Sequence, residues 1–178
     1  MKKSIFLALV IFTFFTACKK PGYGGLTVSL KDGPANYEEI NVEIESVEIY
    51  MDGPTKRGWH RLNTNKGIYN ILLFQNTSAL IASNNVMPAG RTSQMRFTFG
   101  KNNSIKENGI YYPLQPRSRP GEKFSVIIPA TFGVSSNNML NILVDMDAER
   151  SVLKTGKNSF VLAPVLISGS VGSPMDLY

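Results

Sequence analysis

The chain has 178 residues, 43% hydrophobic, 10% aromatic and 18% charged, which excludes a disordered stalk and allows one globular domain of ordinary size. Its formal charge is +6, but Lys2 and Lys3 supply two of those charges and the rest are unevenly divided. Asp32, Glu38, Glu39, Glu43, Glu45, Glu48 and Asp52 follow one another with no intervening Lys or Arg, whereas cations prevail from Lys56 onward. No segment interleaves clustered cations with aromatics as a phosphate-tracking groove requires, so no nucleic-acid partner is expected.

Residues 1–17 read as an export signal. Lys2 and Lys3 form a positive start, and Ile5 to Thr16 supply roughly a dozen mostly apolar residues, the length of a signal-peptide core. That run is short of the about 20 residues needed to cross a bilayer. It ends in Phe15-Thr16-Ala17-Cys18, which resembles a lipobox, the sequence read by the diacylglyceryl transferase and the signal peptidase of bacterial lipoproteins. Thr16 and Ala17 have the small side chains that the peptidase accepts, and Phe15 stands where Leu is more usual. Cys18 is the only cysteine and sits at the cleavage point, so it is the expected site of lipid attachment and the expected link to a membrane. A thiol so used forms no disulfide, and the mature chain must draw its stability from a hydrophobic core. The expected organisation is a signal peptide over 1–17, a lipidated tether over 18–25, a β-sandwich domain over 26–167 and a flexible tail over 168–178.

Pro21, Gly22, Gly24 and Gly25 make the tether a short flexible spacer. Leu26, Val28 and Leu30 then alternate on a first strand, which Gly33-Pro34 breaks. From Ile40 to Tyr50 the apolar phase changes once: Ile40, Val42 and Ile44 share one phase, Val47 and Ile49 the other. A β-bulge near Glu45-Ser46 restores a single inward face and leaves Glu43, Glu45 and Glu48 outside. Asp52-Gly53-Pro54 is a turn signal, and Trp59 to Leu62 and Ile68 to Phe74 read as short strands. Asn76 or Thr77 is placed to cap a brief helix through Ala82. Gln94 to Phe99 alternates again, and turns are expected between Lys101 and Gly109, before a short strand from Ile110 to Leu114. A Pro-bounded loop carries Arg117 and Arg119. Phe124, Val126 and Ile128 alternate, as do Leu140, Ile142, Val144 and Met146. The last strand, Phe160 to Ile167, contains Pro164, the mark of an edge or a bulge. About nine short strands and one short helix predict an all-β fold, an antiparallel sandwich of immunoglobulin-like or transthyretin-like type.

Few residues offer catalytic chemistry. His60 is the sole histidine and has no Cys, His or carboxylate at metal-ligand spacing, and no Gly-x-Ser-x-Gly, His-Glu-x-x-His or P-loop motif is present. Asp145 and Asp147 share one face of a strand, with Glu149 two residues on; they are the candidates for calcium, with Asp32 or Asp52, and for a glycan hydrolase built on a carboxylate pair. The inward phase of Leu140 to Met146 turns them to solvent or a turn, so no metal, cofactor or enzymatic activity is expected. Trp59, Tyr111 and Tyr112, with Tyr69, are the aromatic candidates for a ligand platform, against core packing as the simpler role.

The ordered segments LTVSLKDGP (26–34), INVEIESVEIY (40–50), LLFQNTSAL (72–80), MPAGRTSQMR (87–96) and VDMDAERSVLKTGKNSFVLAP (144–164) resemble the bacterial lipoprotein family that carries the domain of unknown function 4382. The resemblance covers nearly the whole mature chain, with Lys31 and Gly33 standing where Thr and Ala are common. It implies an exported, lipid-anchored β-sandwich of Bacteroidota and related bacteria, and no particular activity. Lipoproteins bound for the surface of such cells resemble one another in acidic residues just after the lipidated cysteine; here Lys19 and Lys20 follow it, which favours the periplasmic face of the outer membrane. The expected function is a noncatalytic binding or interaction module for a glycan or an envelope protein. A structural envelope lipoprotein without small ligand is the alternative, and a carboxylate-dependent glycan hydrolase the more distant one.

Overall fold

The computed structural model describes residues 22–53, 56–117 and 122–171. The expected signal peptide, Cys18, the start of the tether, Pro54, Arg119 and the tail beyond Val171 lie outside the described residues. The strands are β1 (Tyr23–Asp32), β2 (Glu39–Met51), β3 (Gly58–Arg61), β4 (Asn63–Thr64), β5 (Gly67–Asn70), β6 (Ala79–Pro88), β7 (Gly90–Phe99) and β8 (Ser104–Glu107). They continue with β9 (Ile110–Pro116), β10 (Phe124–Pro129), β11 (Gly133–Val134), β12 (Met139–Met146), β13 (Val152–Gly156), β14 (Ser159–Leu162) and β15 (Leu166–Val171). Tyr23 to Gly25, expected in the tether, thus already belong to β1.

Period-two alternation drives these segments into two sheets, because each strand has one apolar face to bury. The first has the order β15-β12-β1-β6-β4; the second has the order β10-β7-β2-β8-β9-β14-β13, with β3 and β5 also on β2 and β11 on β7. Leu26, Val28 and Leu30 of the first sheet and Val42, Ile49 and Phe97 of the second are among the residues of one shared core, each 1% exposed or less. The all-β sandwich read from the sequence is therefore the observed architecture. Its sheets are mixed rather than wholly antiparallel: β1 pairs with β12, and β14 with β9, in parallel. Both partners in each pair are far apart in sequence, so no hairpin dictates their direction.

The phase change in β2 is the expected bulge. Ile44 pairs with Phe99 and Ser46 with Thr98, leaving Glu45 without a partner on β7. Ile40, Val42, Ile44, Val47 and Ile49 are all buried, while Glu43, Glu45 and Glu48 are partly exposed. The Asn108-Gly109 turn also forms as expected: both residues have positive φ, 53° and 76°, the conformation of a tight two-residue hairpin.

The expected helix is displaced. Residues expected to continue a strand, Ile71–Phe74, form a 3-10 turn, and those expected to be helical lie in β6. Ile71, fully buried, carries the chain from β5 in one sheet to β6 in the other. β6 lies between β1 and β4, so its ladder bonds and the burial of Ile81 and Ala82 outweigh a local helical preference. The α-helical turn is α1 (Ala148–Ser151), capped by Asp147, whose side chain accepts from the Arg150 N–H at 2.9 Å. Pro164 lies in the link between β14 and β15, which divides the single strand expected there.

The bulge gives a sharp test. Deleting Glu45 removes the unpaired residue and keeps Val47, Ile49 and Met51 in the inward phase, with an expected loss below about 2 kcal/mol. Deleting Glu48 turns Ile49 and Met51 to the outer face, with an expected loss of about 4 kcal/mol or more. Urea denaturation of the two deletion variants checks the order.

Candidate functional site

β1 runs the length of the sandwich and defines two ends. At the Gly22 end, the Ala89 N–H donates to the Gly22 carbonyl at 2.7 Å, Asn137 N–H to the Tyr23 carbonyl at 2.8 Å, and Gly25 N–H to the Asn138 carbonyl at 2.9 Å. The turn at 135–138 approaches so closely that a Cβ on Gly24 would lie 2.1 Å from the Ser135 carbonyl oxygen. Only glycine fits there. The first residue of β1 is thereby fastened to the β6–β7 and β11–β12 connections.

At the opposite end, β1 and β12 bring three carboxylates together. The inward phase of Leu26, Val28 and Leu30 extends to Asp32, which is 4% exposed. Its Oδ1 accepts from the Ala148 N–H at 3.0 Å, and its Oδ2 is buried without a hydrogen-bond partner. Burial is the main cause that pushes the Asp32 carboxyl up to about 6; the Ala148 hydrogen bond and the nearby Gly33 N–H oppose it, and the nearby charges of Asp145 and Asp147 add to it. The neighbours are otherwise engaged. Asp145 pairs with Lys31 at 2.7 Å, and Asp147 caps α1. Among the described residues no group of three or more His, Cys, Asp or Glu is arranged to hold a metal ion, so the structure does not assemble Asp145, Asp147 and Asp32 as calcium ligands. Asp52 lies at the other end of the sandwich, after β2, where its N–H donates to the Arg91 carbonyl at 2.8 Å.

The aromatic candidates are dispersed. Trp59 on β3 packs edge-on against Tyr50, 5.3 Å between centroids, under the Arg96 guanidinium at 4.3 Å. Arg96 in turn pairs with Glu48 at 2.7 Å. Tyr111, on the β8–β9 hairpin at the Asp32 end, is 55% exposed and donates to Glu39 at 2.8 Å, which holds the Glu39 carboxyl below the usual range and its own phenol above it. Lys106 lies 3.6 Å from both Glu38 and Glu39. Tyr112, next in sequence, turns inward against Phe160. Tyr69 donates to the Asn65 carbonyl. His60 Nε2 lies 2.9 Å from the Lys56 carbonyl oxygen, so that nitrogen carries the ring proton. Arg117 follows β9, and its N–H donates to the Leu162 carbonyl.

Asp32, a candidate only as a calcium partner from its sequence, is carried inward by the alternation of β1. The exposed pair Ile110 and Tyr111, both 55% exposed, sits next to a hairpin that was legible from Asn108-Gly109. No helix among the described residues is long and apolar enough to cross a membrane.

The fold defines a mixed-sheet β-sandwich whose polar and aromatic groups are split between two ends. The chain belongs to the family described as a domain of unknown function, DUF4382, which it matches over residues 23–164. The matched region begins with the first residue of β1 and includes Asp32, Asp145, Asp147, Trp59, Tyr111 and Tyr112. Comparisons with curated proteins and with solved structures found no match.

Asp32 makes a pH-dependent prediction. Between pH about 4 and 6 the unfolded chain ionises this carboxyl while the folded chain keeps it protonated, so folding stability falls as pH rises, by up to about 3 kcal/mol in total. Asp32→Asn keeps an acceptor for Ala148 and removes the ionisation. It is expected to abolish this slope and to exceed the wild type in stability at pH 7, in denaturation curves recorded from pH 4 to 7.5.

Proposed function

We propose that the chain is an exported bacterial lipoprotein, acylated on Cys18, whose sandwich is a noncatalytic interaction module held close to a membrane. The observation that carries this reading is that three residues separate the lipobox cysteine from Gly22, the residue hydrogen-bonded into the sandwich. With the Gly22 end next to the lipid, a ten-residue strand holds the Asp32 end about 30 Å away. That far end carries Ile110 and Tyr111, exposed and flanked by Lys106, Glu38 and Glu39, an apolar and charged surface suited to an envelope protein or a glycan. Lys19 and Lys20 favour the periplasmic face of the outer membrane.

A noncatalytic role is supported by the engagements of His60, Asp145 and Asp147. His60 donates to Lys56, Asp145 is paired with Lys31, and Asp147 caps a helix. Each has a structural partner that catalysis would have to disrupt.

In cells making the full chain, a photoreactive residue at Tyr111 is expected to crosslink to an envelope component, and the same residue at exposed Asn85, near the Gly22 end, to give no such adduct. Cys18→Ser is expected to remove the acyl mass and release the chain from the membrane fraction. Hydrolysis of an envelope glycan by the intact protein, lost in Asp145→Asn, would overturn the noncatalytic reading.

A further inference from the structure

We propose that the Gly22 end of the first sheet rests directly on the lipid surface through an apolar corner formed by Tyr23, Val86 and Met139. This rests on the reading that Cys18 carries the lipid. The three side chains come from three adjacent strands, β1, β6 and β12, and are 53%, 66% and 39% exposed. Their grouping follows from the register. Met139 pairs with Gly25, and its side chain lies over that residue, with Sδ and Cε 2.8 and 2.7 Å from where a Cβ would stand. On the other side of β1, the ladder to β6 shifts between Gly24 and Leu26, which pair with Met87 and Asn84. Val86 therefore falls beside Gly25 as well. Met87 is buried and Gly24 lies against the turn at 135–138, whereas Val86 and Tyr23, one residue away on each strand, are exposed. Gly25, without a side chain, leaves the room in which the Met139 side chain lies.

Exposed apolar side chains occur elsewhere too: Leu73, Ile110 and Ile167 are each more than half exposed. What distinguishes this corner is the chain that leads into it. The four chain steps from Cys18 to Gly22 span at most about 14 Å, so acylation of Cys18 holds Tyr23 within reach of the headgroup layer in any orientation. Within that reach the corner is the surface that gains from leaving water. A tyrosine ring suits the interface between headgroups and acyl chains. Exposed Arg91, two residues after Ala89, places a cation at the same end, where anionic headgroups attract it. The lipid then acts as a hinge, and the corner stops the sandwich from swinging, which keeps the Asp32 end pointing away from the membrane.

The test uses the full acylated chain in vesicles of phosphatidylethanolamine and phosphatidylglycerol. Val86→Cys, Ile110→Cys and Ile167→Cys are each labelled with a polarity-sensitive fluorophore, Cys18 being blocked by its lipid. With brominated acyl chains, the label at position 86 is expected to lose emission, and in ordinary vesicles to shift to the blue; labels at 110 and 167 are expected to do neither. Acylated protein that floats with the vesicles while the label at 86 is neither quenched nor shifted would overturn the contact and leave the anchor standing. A crosslink from position 86 to a protein instead of lipid in intact cells would overturn it too. Absence of acyl mass on Cys18 would overturn the anchoring reading, and the contact with it.

Discussion

The parallel ladder between β1 and β12 is the constraint on which the rest of the molecule depends. It joins Leu26 to Leu140, Val28 to Ile142 and Leu30 to Val144, residues more than a hundred positions apart, in the middle of the first sheet. With β6 on its other side, β1 has partners along both edges, so its backbone groups are satisfied while its inward side chains are fully buried. Full burial of each such Leu or Val contributes about 1.5–3 kcal/mol. Closing so long a loop is entropically costly, and the aligned apolar faces of three neighbouring strands are what offsets it.

Both ends of the molecule follow from this ladder. At its start, Gly25 beside Met139 leaves an apolar surface around a glycine, and Gly24 admits the turn at 135–138. At its finish, the same alternation that buries Leu30 carries Asp32 into the interior, where one hydrogen bond from Ala148 meets only part of its needs. A buried carboxyl with a free oxygen is costly to ionise, and the neighbouring Asp145 and Asp147 raise that cost further. Lys31 next to it pairs outward with Asp145, so the two adjacent residues of β1 face opposite environments, Lys31 served by β12 and Asp32 by the first residue of α1. The acidic charge that the sequence concentrates between Asp32 and Asp52 is thus distributed over unrelated tasks: a buried carboxyl at Asp32, a loop anchor where Glu43 accepts from Asn102, and a partner for Arg96 at Glu48.

Much of the fold was legible because strands with one buried face write their pattern at period two. Leu26 to Leu30, Leu140 to Met146 and the slipped pattern of β2 each have one solution that buries every apolar residue, and the structure adopts it. The Ile71–Phe74 turn and β6 were misread for a common reason: Ala79 to Ala82 carries no alternation, and its conformation is decided by β1 on one side and β4 on the other, partners invisible to a local reading. Strand direction was illegible for the same cause, since nothing within β1 says that its neighbour is β12 and runs parallel. Of the site residues, Asp32 was written in the phase of its own strand. Trp59 and Tyr111 showed no sign that they lie near opposite ends, because separation across a sheet depends on strand order rather than on sequence spacing. Function was less legible still: the family match spreads over the fold from residue 23 to 164 and singles out no chemistry.

β1 and β12 thus form one cooperative unit that organises both ends of the sandwich. Native-state hydrogen exchange of the full chain tests it most directly, read at the amides of β1, β12 and the outlying β13. β1 and β12 are expected to exchange together, with the slowest rates in the molecule, while β13, an edge strand with mostly exposed residues, exchanges earlier. Exchange of β1 well ahead of β12, at rates close to those of β13, would contradict it.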